Sequence, residues 1–387
     1  MDFTVSDEQR EIRAAVADLC AHYPDAYWRG LDKRGEYPDA FVQALTEAGW
    51  LGALIPEEYG GAGLGISDAA IVLEEINHSG GNATTAHAQM YIMGTLLRHG
   101  SDEQKQRYLP AIASGKLRLQ AFGVTEPNSG SDTTRLETKA ERRGDHYLIN
   151  GQKVFISRAQ HTDMMLLLAR TADYDEAHKT RGLSVFLVDL KGAVSSGQLT
   201  IRPLDMMINH HTTQLFIQGL EVPVENLIGE EGAGFGYILN GMNAERILVA
   251  SEALGDGRWF VERAARYSGD RVVFGRPIGA NQGIQFPIAQ AHARLEAADL
   301  LRFKAAWLFD QNRECGAEAN MAKLLASQAS WEAANACMDA HGGYGFAAEF
   351  DVERKFRETR LLMTAPISNN LVLTYVGQHV LGMPRSY

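Results

Sequence analysis

The spacing of apolar residues changes twice along the chain, and this limits what the chain can fold into more than any other feature. From residue 1 to about Leu119, apolar side chains recur at helical intervals, as in Ile12, Val16 and Leu19 or Phe41, Leu45 and Trp50. Ser6 with Gln9 and Ser101 with Gln104 have the pattern of capping boxes, and Gly49 and Gly100 stand where helices stop. Residues 55–65 are too glycine-rich to continue a helix and are expected to form a loop. Around Ala121 the period shortens: HYLINGQKVFIS, MMLLLAR, GLSVFLVDL, LTIRPL and TTQLFIQGLEV are strand-like runs separated by Gly, Asn and Asp. None precedes a helix of crossover length, which disfavours a doubly wound nucleotide fold and leads us to expect an antiparallel sheet. From about Gly234 the helical period returns over 237–267, 282–313, 320–340 and 369–381, lengths that suit a four-helix bundle. The expected fold is multidomain α+β, mainly α: helical over 1–120, β over 121–232 and a bundle over 233–387.

Composition removes several classes of function. With 37 Lys+Arg against 48 Asp+Glu the chain is acidic, and it lacks the basic stripe of a phosphate-backbone binder, so no nucleic-acid partner is expected. No apolar run reaches about eighteen residues, and MDFTVSDEQREIR has acidic residues where a signal peptide would be basic. We therefore expect no membrane insertion and a cytoplasmic protein. The three cysteines, Cys20, Cys315 and Cys337, form no metal-binding spacing. His210 and His211, read as neighbours on a strand, would point to opposite faces and could not readily share an ion. No metal site is expected.

P-loop, zincin and nucleophile-elbow motifs are absent, and GEEGAGFG (229–236) lacks the βαβ context of a dinucleotide fingerprint. Two stretches are far more specific: GVTEPNSGSD (123–132) and DAHGGYGFAAEFDVERKFRE (339–358). Together they resemble the two signature motifs of the acyl-CoA dehydrogenase family. NGQKVFIS, ENLIGEEGAGF and DRVVFGRPIGANQ follow in the family's order, so the resemblance covers essentially the whole chain. Two departures are Arg135, where the first signature usually has a small residue, and Asp339, where Gln is common.

The resemblance implies a helical N-terminal domain, a middle antiparallel β-barrel and a C-terminal four-helix bundle. It further implies FAD in a cleft between the domains and across a subunit interface, and a homo-oligomer, expected to be a tetramer. By resemblance Val124, Thr125 and Ser131 line the flavin, with Ser131 also near the CoA arm. Phe155 and Ser157 share a strand face by the two-residue period, which suits a ring contact and a hydrogen bond. Alone, Phe155 would read as a core aromatic. Arg271, Phe274 and Gln282 are implied to reach a flavin held mainly by the neighbouring subunit, while Gly342 and Gly343 let the main chain approach its phosphates.

The implied reaction is oxidation of an acyl-CoA to its trans-2-enoyl-CoA, a carboxylate removing the α-proton while the β-hydrogen leaves as hydride to flavin N5. Many members carry this base in a Tyr-Glu-Gly-Thr turn after the second signature, but here the stretch is LLMTAPISNN (361–370), with Pro366 in the glutamate's place. Isovaleryl-CoA dehydrogenase and long-chain relatives carry it on the first long helix of the bundle, before an arginine, which matches Glu245 followed by Arg246. Glu245 is the expected base and Arg246 a substrate contact, although a Glu-Arg pair on a helix is by itself ordinarily a solvated or salt-bridged one. Proline has no N–H to give to the thioester oxygen, so Ile367 or another residue must supply that donor or the substrate must be held differently. Ser368 and Asn370 match flavin-contacting Thr and Gln positions of the family. An electron-transfer flavoprotein is the implied acceptor. Two other readings remain open: an oxidase, whose usual extra C-terminal domain this length lacks, and a non-catalytic FAD-binding subunit of a mixed oligomer.

Overall fold

The computed structural model describes residues 5–385, the side chain of Asn240 excepted. Its contacts divide into two units: the first 38 residues with Gly65–Ala83 and the chain from Asn243 onward, and Asp39–Leu64 with Thr84–Met242.

The first unit is helical: α1 (Asp7–Ala21), α2 (Asp25–Arg34) and, after the other unit's α3 (Asp39–Glu47), α4 (Ile66–His78). Ser6 Oγ accepts the Gln9 N–H at 3.1 Å while Gln9 Oε1 accepts the Ser6 N–H, so the expected capping box starts α1. The remaining helices are best counted after α5 (Thr84–His99), α6 (Asp102–Ala113) and α7 (Leu190–Ser195) of the second unit. They are α8 (Gly234–Asp270, here from Asn243), α9 (Gln282–Asp310), α10 (Gly316–His341), α11 (Val352–Leu361) and α12 (Asn369–Tyr375). Their shared core is alanine-rich, with Ala250, Ala253, Ala298, Ala322, Ala326 and Ala333 beside Leu254, Phe260 and Leu295. Small side chains bring helix axes close. At Gly257 a Cβ would lie 2.3 Å from a methyl of the buried Leu295, so any larger residue there would force that side chain to move.

The expected helix over 369–381 forms as an α-helix (Asn369–Tyr375) continued without a break by a π-helical stretch (Val376–Val380). Conversely, α11 went unmarked because VERKFRETRL has no apolar stripe, yet it buries Arg354, Lys355 and Thr359. Its inner face is polar, and periodicity of apolar residues cannot find such a helix.

The second unit packs α5 and α6 on one face of a mixed sheet. Its strands are β1 (Leu119–Gly123), β2 (Lys139–Arg143), β3 (His146–Ser157), β4 (Met164–Arg170), β5 (Leu183–Asp189), β6 (Leu199–Pro203), β7 (Thr212–Pro223) and β8 (Leu227–Ile228). The order is β6-β7-β3-β2-β4-β5-β8, with β1 also on β4. The sheet is open: β6 and β8 are its two ends, so it is not the closed barrel expected from the resemblance. Nor is it purely antiparallel, because β1 runs parallel to β4 and β2 meets β4 through the parallel pair Lys139↔Arg170. The crossover from β1 to β4 consists of a turn and the β2–β3 hairpin, a connection that a search for crossover helices overlooks. Every residue of β4 is buried, as in a strand covered on both sides. Met164, Leu166 and Leu168 face a core shared with Ile92, Leu96 and Leu109, while Met165, Leu167 and Ala169 face one with Tyr147, Phe186 and Leu215.

In the first unit, Glu74 of α4 is fully buried and accepts from three guanidinium groups: Arg13 of α1 at 3.2 Å, Arg258 of α8 and Arg302 of α9 at 3.1 Å. One carboxylate thus joins four helices. Replacing it (Glu74→Ala) leaves Arg302 buried without its carboxylate partner on α4, and should lower unfolding stability by about 3–5 kcal/mol in urea titration followed by circular dichroism.

Candidate active site

The candidate residues fall into three groups. In the second unit, β1 delivers the chain to Val124 and Thr125, both half-buried. Thr125 C=O accepts the Val154 N–H at 2.9 Å, and Val124 C=O accepts from Lys153 Nζ at 3.0 Å. The 124–125 segment is thereby tied to the 153–155 stretch of β3. Phe155 does not continue that strand's alternation. The β3–β7 register shifts between Lys153 and Ile156, Phe155 takes φ +59°, and its ring is 59% exposed between buried Val154 and Ile156. A bulge has turned an aromatic outward, so the shared face expected for Phe155 and Ser157 does not follow from a simple two-residue period. A bulky residue at positive φ with its ring in the open is uncommon and marks a contact surface. Ser157 closes β3 opposite Thr212. Ser131 is exposed in a turn braced by Ser129 Oγ on the Asp132 carbonyl at 2.6 Å. Arg135 packs over Tyr174 and donates to Glu176 at 3.2 Å.

Sequence reasoning missed the residues beneath this surface. Lys153 is fully buried, and its ammonium donates to Glu126 Oε1 at 2.8 Å; Glu126 also accepts the Glu137 and Thr138 N–H groups at 2.6 and 2.9 Å. Burial pushes Lys153 down to about 8, against the pull of Glu126. For Glu126 burial works upward, but the Lys153 charge and these hydrogen bonds hold the carboxyl below its ordinary range. A lysine within the strand-forming run QKVFI was the available signal.

A second group lies in the first unit, where α8 ends and a short hairpin, β9 (Val272–Val273) with β10 (Arg276–Pro277), precedes α9. Phe274 occupies its tip at φ +51° with a fully exposed ring. Gln282 begins α9, capped by Asn281. Arg271 lies 5.9 Å from the Tyr344 ring, which brings it to the turn of Gly342 and Gly343 after α10. Gly342 has φ +56°, and beside both glycines the space a Cβ would fill is open. Asp339 is exposed one turn earlier.

The third group surrounds Glu245 on α8. Glu245 is half-buried and Arg246 buried, the latter donating to Asn243 Oδ1 at 3.0 Å. Burial lowers Arg246, opposed by Glu245, Tyr375 and Cys315. Residues 364–368 form a half-buried to exposed loop between α11 and α12, with Ser368 capping α12 through the Leu371 N–H. The Asn370 side chain is exposed and makes no hydrogen bond among the described residues. Lys323 of α10 joins this loop to the helices and was also missed.

Family models match in sequence order: the N-terminal domain of acyl-CoA dehydrogenase over 6–116, the middle domain over 121–218 and the C-terminal domain over 232–378. The acyl-CoA dehydrogenase FadE12 of Mycobacterium tuberculosis is 36% identical over 100% of this chain and 99% of its own. The chain belongs to the acyl-CoA dehydrogenase family. Glutaryl-CoA dehydrogenase of Desulfococcus multivorans is 33% identical over the full length of both chains. Among solved structures, a glutaryl-CoA dehydrogenase bound to glutaryl-CoA superposes with a TM-score of 0.91 at 31% identity, covering 100% of this chain and 98% of that one. Like other acyl-CoA dehydrogenases, the protein is an FAD-dependent enzyme that oxidises an acyl-CoA thioester. The residues present fit that cofactor: outward aromatics at Phe155 and Phe274, an exposed Arg271 and an open glycine turn at 342–343 are surfaces that a bound ring and phosphates would cover. Among the described residues no helix is long and apolar enough to cross a membrane, and no three His, Cys, Asp or Glu side chains gather as metal ligands. His210 and His211 precede β7 rather than lying in a strand. His210 faces Arg158 at 3.5 Å and His211 faces His161 at 3.0 Å.

The buried Lys153–Glu126 pair gives a direct test of what holds the 124–125 segment. Lys153→Met strands a buried carboxylate and should cost about 3–5 kcal/mol, with loss of bound FAD on gel filtration. Adding Glu126→Gln should recover part of the stability by relieving that charge.

Proposed function

We propose that Glu245 is the base that removes the α-proton of the acyl-CoA. The observation that carries this reading is the absence of a carboxylate in 361–370, with Pro366 at the usual position, together with a half-buried Glu245 beside a buried arginine on α8. A helix interior holds a side chain in a narrower range of positions than a loop does, as proton abstraction requires. FAD, when bound, accepts the β-hydrogen as hydride, giving the trans-2-enoyl-CoA. Val124, Thr125, Ser131, Phe155, Ser157, Ser368 and Asn370 contact the cofactor in this reading. Arg271, Phe274, Gln282, Gly342 and Gly343 serve the cofactor of a neighbouring subunit, and Ser131 and Arg246 serve the substrate.

Pro366 cannot donate to the thioester oxygen. The main-chain N–H groups of Ile367 and Ser368 make no hydrogen bond among the described residues, so either can supply that donor, whose loss would cost about 2.7–4 kcal/mol. The exposed apolar side chains Val272, Val273, Phe274 and Phe286 support a homo-oligomer, a tetramer by resemblance. The electron acceptor is an electron-transfer flavoprotein. A related protein is the CarC subunit of the caffeyl-CoA reductase–Etf complex of Acetobacterium woodii, 35% identical over 86% of each chain.

Anaerobic bleaching of the flavin by a panel of acyl-CoA thioesters tests the base. Glu245→Gln should keep its FAD and reduce it roughly 10²–10⁴-fold more slowly with the best substrate of the panel. Undiminished reduction would refute the assignment.

A further inference from the structure

Lys323 is fully buried in the first third of α10, within the apolar run MAKLLA. Among the described residues no carboxylate receives its hydrogen bonds. Its ammonium donates to the Ile367 carbonyl and to Asn369 Oδ1, each at 2.8 Å. Asn369 is in turn fixed by Ser327 Oγ, which accepts from its Nδ2 at 3.1 Å. Thus one side chain of α10 holds the carbonyl immediately after Pro366 and the first residue of α12. The charges acting on it come from α8: Arg246 and Glu245. Tyr375 of α12 and Cys315, just before α10, act on Arg246 in the same cluster. Burial brings Lys323 down to about 7; Arg246 pushes the same way and Glu245 opposes. A buried cation without an ion-paired hydrogen bond is costly, whereas Lys153, bonded directly to Glu126, is answered in the usual manner.

We propose that Lys323 is a positioning residue of the active site: it clamps the 364–368 loop through the Ile367 carbonyl and through Asn369, the first residue of α12. The clamp stands on these hydrogen bonds alone, and its place in catalysis rests on the reading of Glu245 as base. It needs only N–H donors.

Three variants of the holoenzyme test the clamp. Lys323→Gln keeps a donor without charge, Lys323→Arg keeps donors and charge, and Lys323→Met keeps neither. Hydrogen–deuterium exchange over residues 361–370, independent of turnover, should quicken about tenfold in Lys323→Met and far less in Lys323→Gln, the conservative variant restoring the loop. If Lys323→Met fails to hold FAD, exchange in Lys323→Gln and Lys323→Arg decides. Unchanged loop exchange in Lys323→Met overturns the clamp. Should Glu245→Gln reduce its flavin normally, the base reading fails separately, and the exchange data still judge the clamp.

Discussion

Buried cations that spend their hydrogens on main-chain carbonyls hold the irregular parts of this protein. Lys153 donates to Val124, Arg170 to Leu136 and Thr134, Lys323 to Ile367, Arg354 to Gly80 and Lys355 to Gly81. Apart from Thr134, in a short 3-10 turn, each accepting carbonyl lies outside helices and strands, where no ladder partner is available and an unpaired buried oxygen would be expensive. A long basic side chain rooted in a regular element reaches such an oxygen from a distance and fixes the loop against it. The charge left over is met where a carboxylate stands near, as Glu126 does for Lys153 and Asp256 for Lys355. Loops that must present a surface to a ligand are thus held from below, leaving their outer faces uncommitted.

Much of the fold is legible in the sequence because burial is two-sided or one-sided in simple ways. The apolar run of β4 and the alternation in β7 reflect two cores, and the capping boxes at Ser6 and Ser101 form as their spacing predicts. What escaped has a common cause. β2, with the sequence KAERR, and α11, with VERKFRETRL, carry charges where a hydropathy pattern needs apolar side chains. The open, mixed sheet was illegible for another reason. Pairing partners distant in sequence are set by register and connection, and the β1–β4 pair depends on a crossover without a helix.

The candidate site divides in the same way. Signature residues announce themselves through the family resemblance, but their supports do not. Lys153 and Lys323 stand in apolar surroundings, where a lone lysine is the warning sign, since a buried ammonium persists only when its hydrogens are taken. Phe155 shows the reverse failure. Alternation puts it on a face with Ser157, yet the bulge that turns its ring outward depends on pairing with β7 and cannot be read from β3 alone.

On the proposed assignment, moving the base from a loop to α8 changes what the loop must do. A loop-borne carboxylate couples two demands, since the same few residues must place both the base and the N–H that binds the thioester oxygen. With Glu245 on a helix whose following turns pack Val249, Ala250 and Ala253 into the alanine-rich core, the base inherits the rigidity of that core. The 364–368 segment is then free to carry Pro366, provided that something else fixes the peptide groups after it. Lys323 and Asn369 meet that requirement from the helices on either side, through contacts to a carbonyl and an amide that are indifferent to the identity of the loop side chains. Side chains at 365–367 can therefore vary with the shape of the acyl group, while the main chain that would polarise the thioester stays in one place.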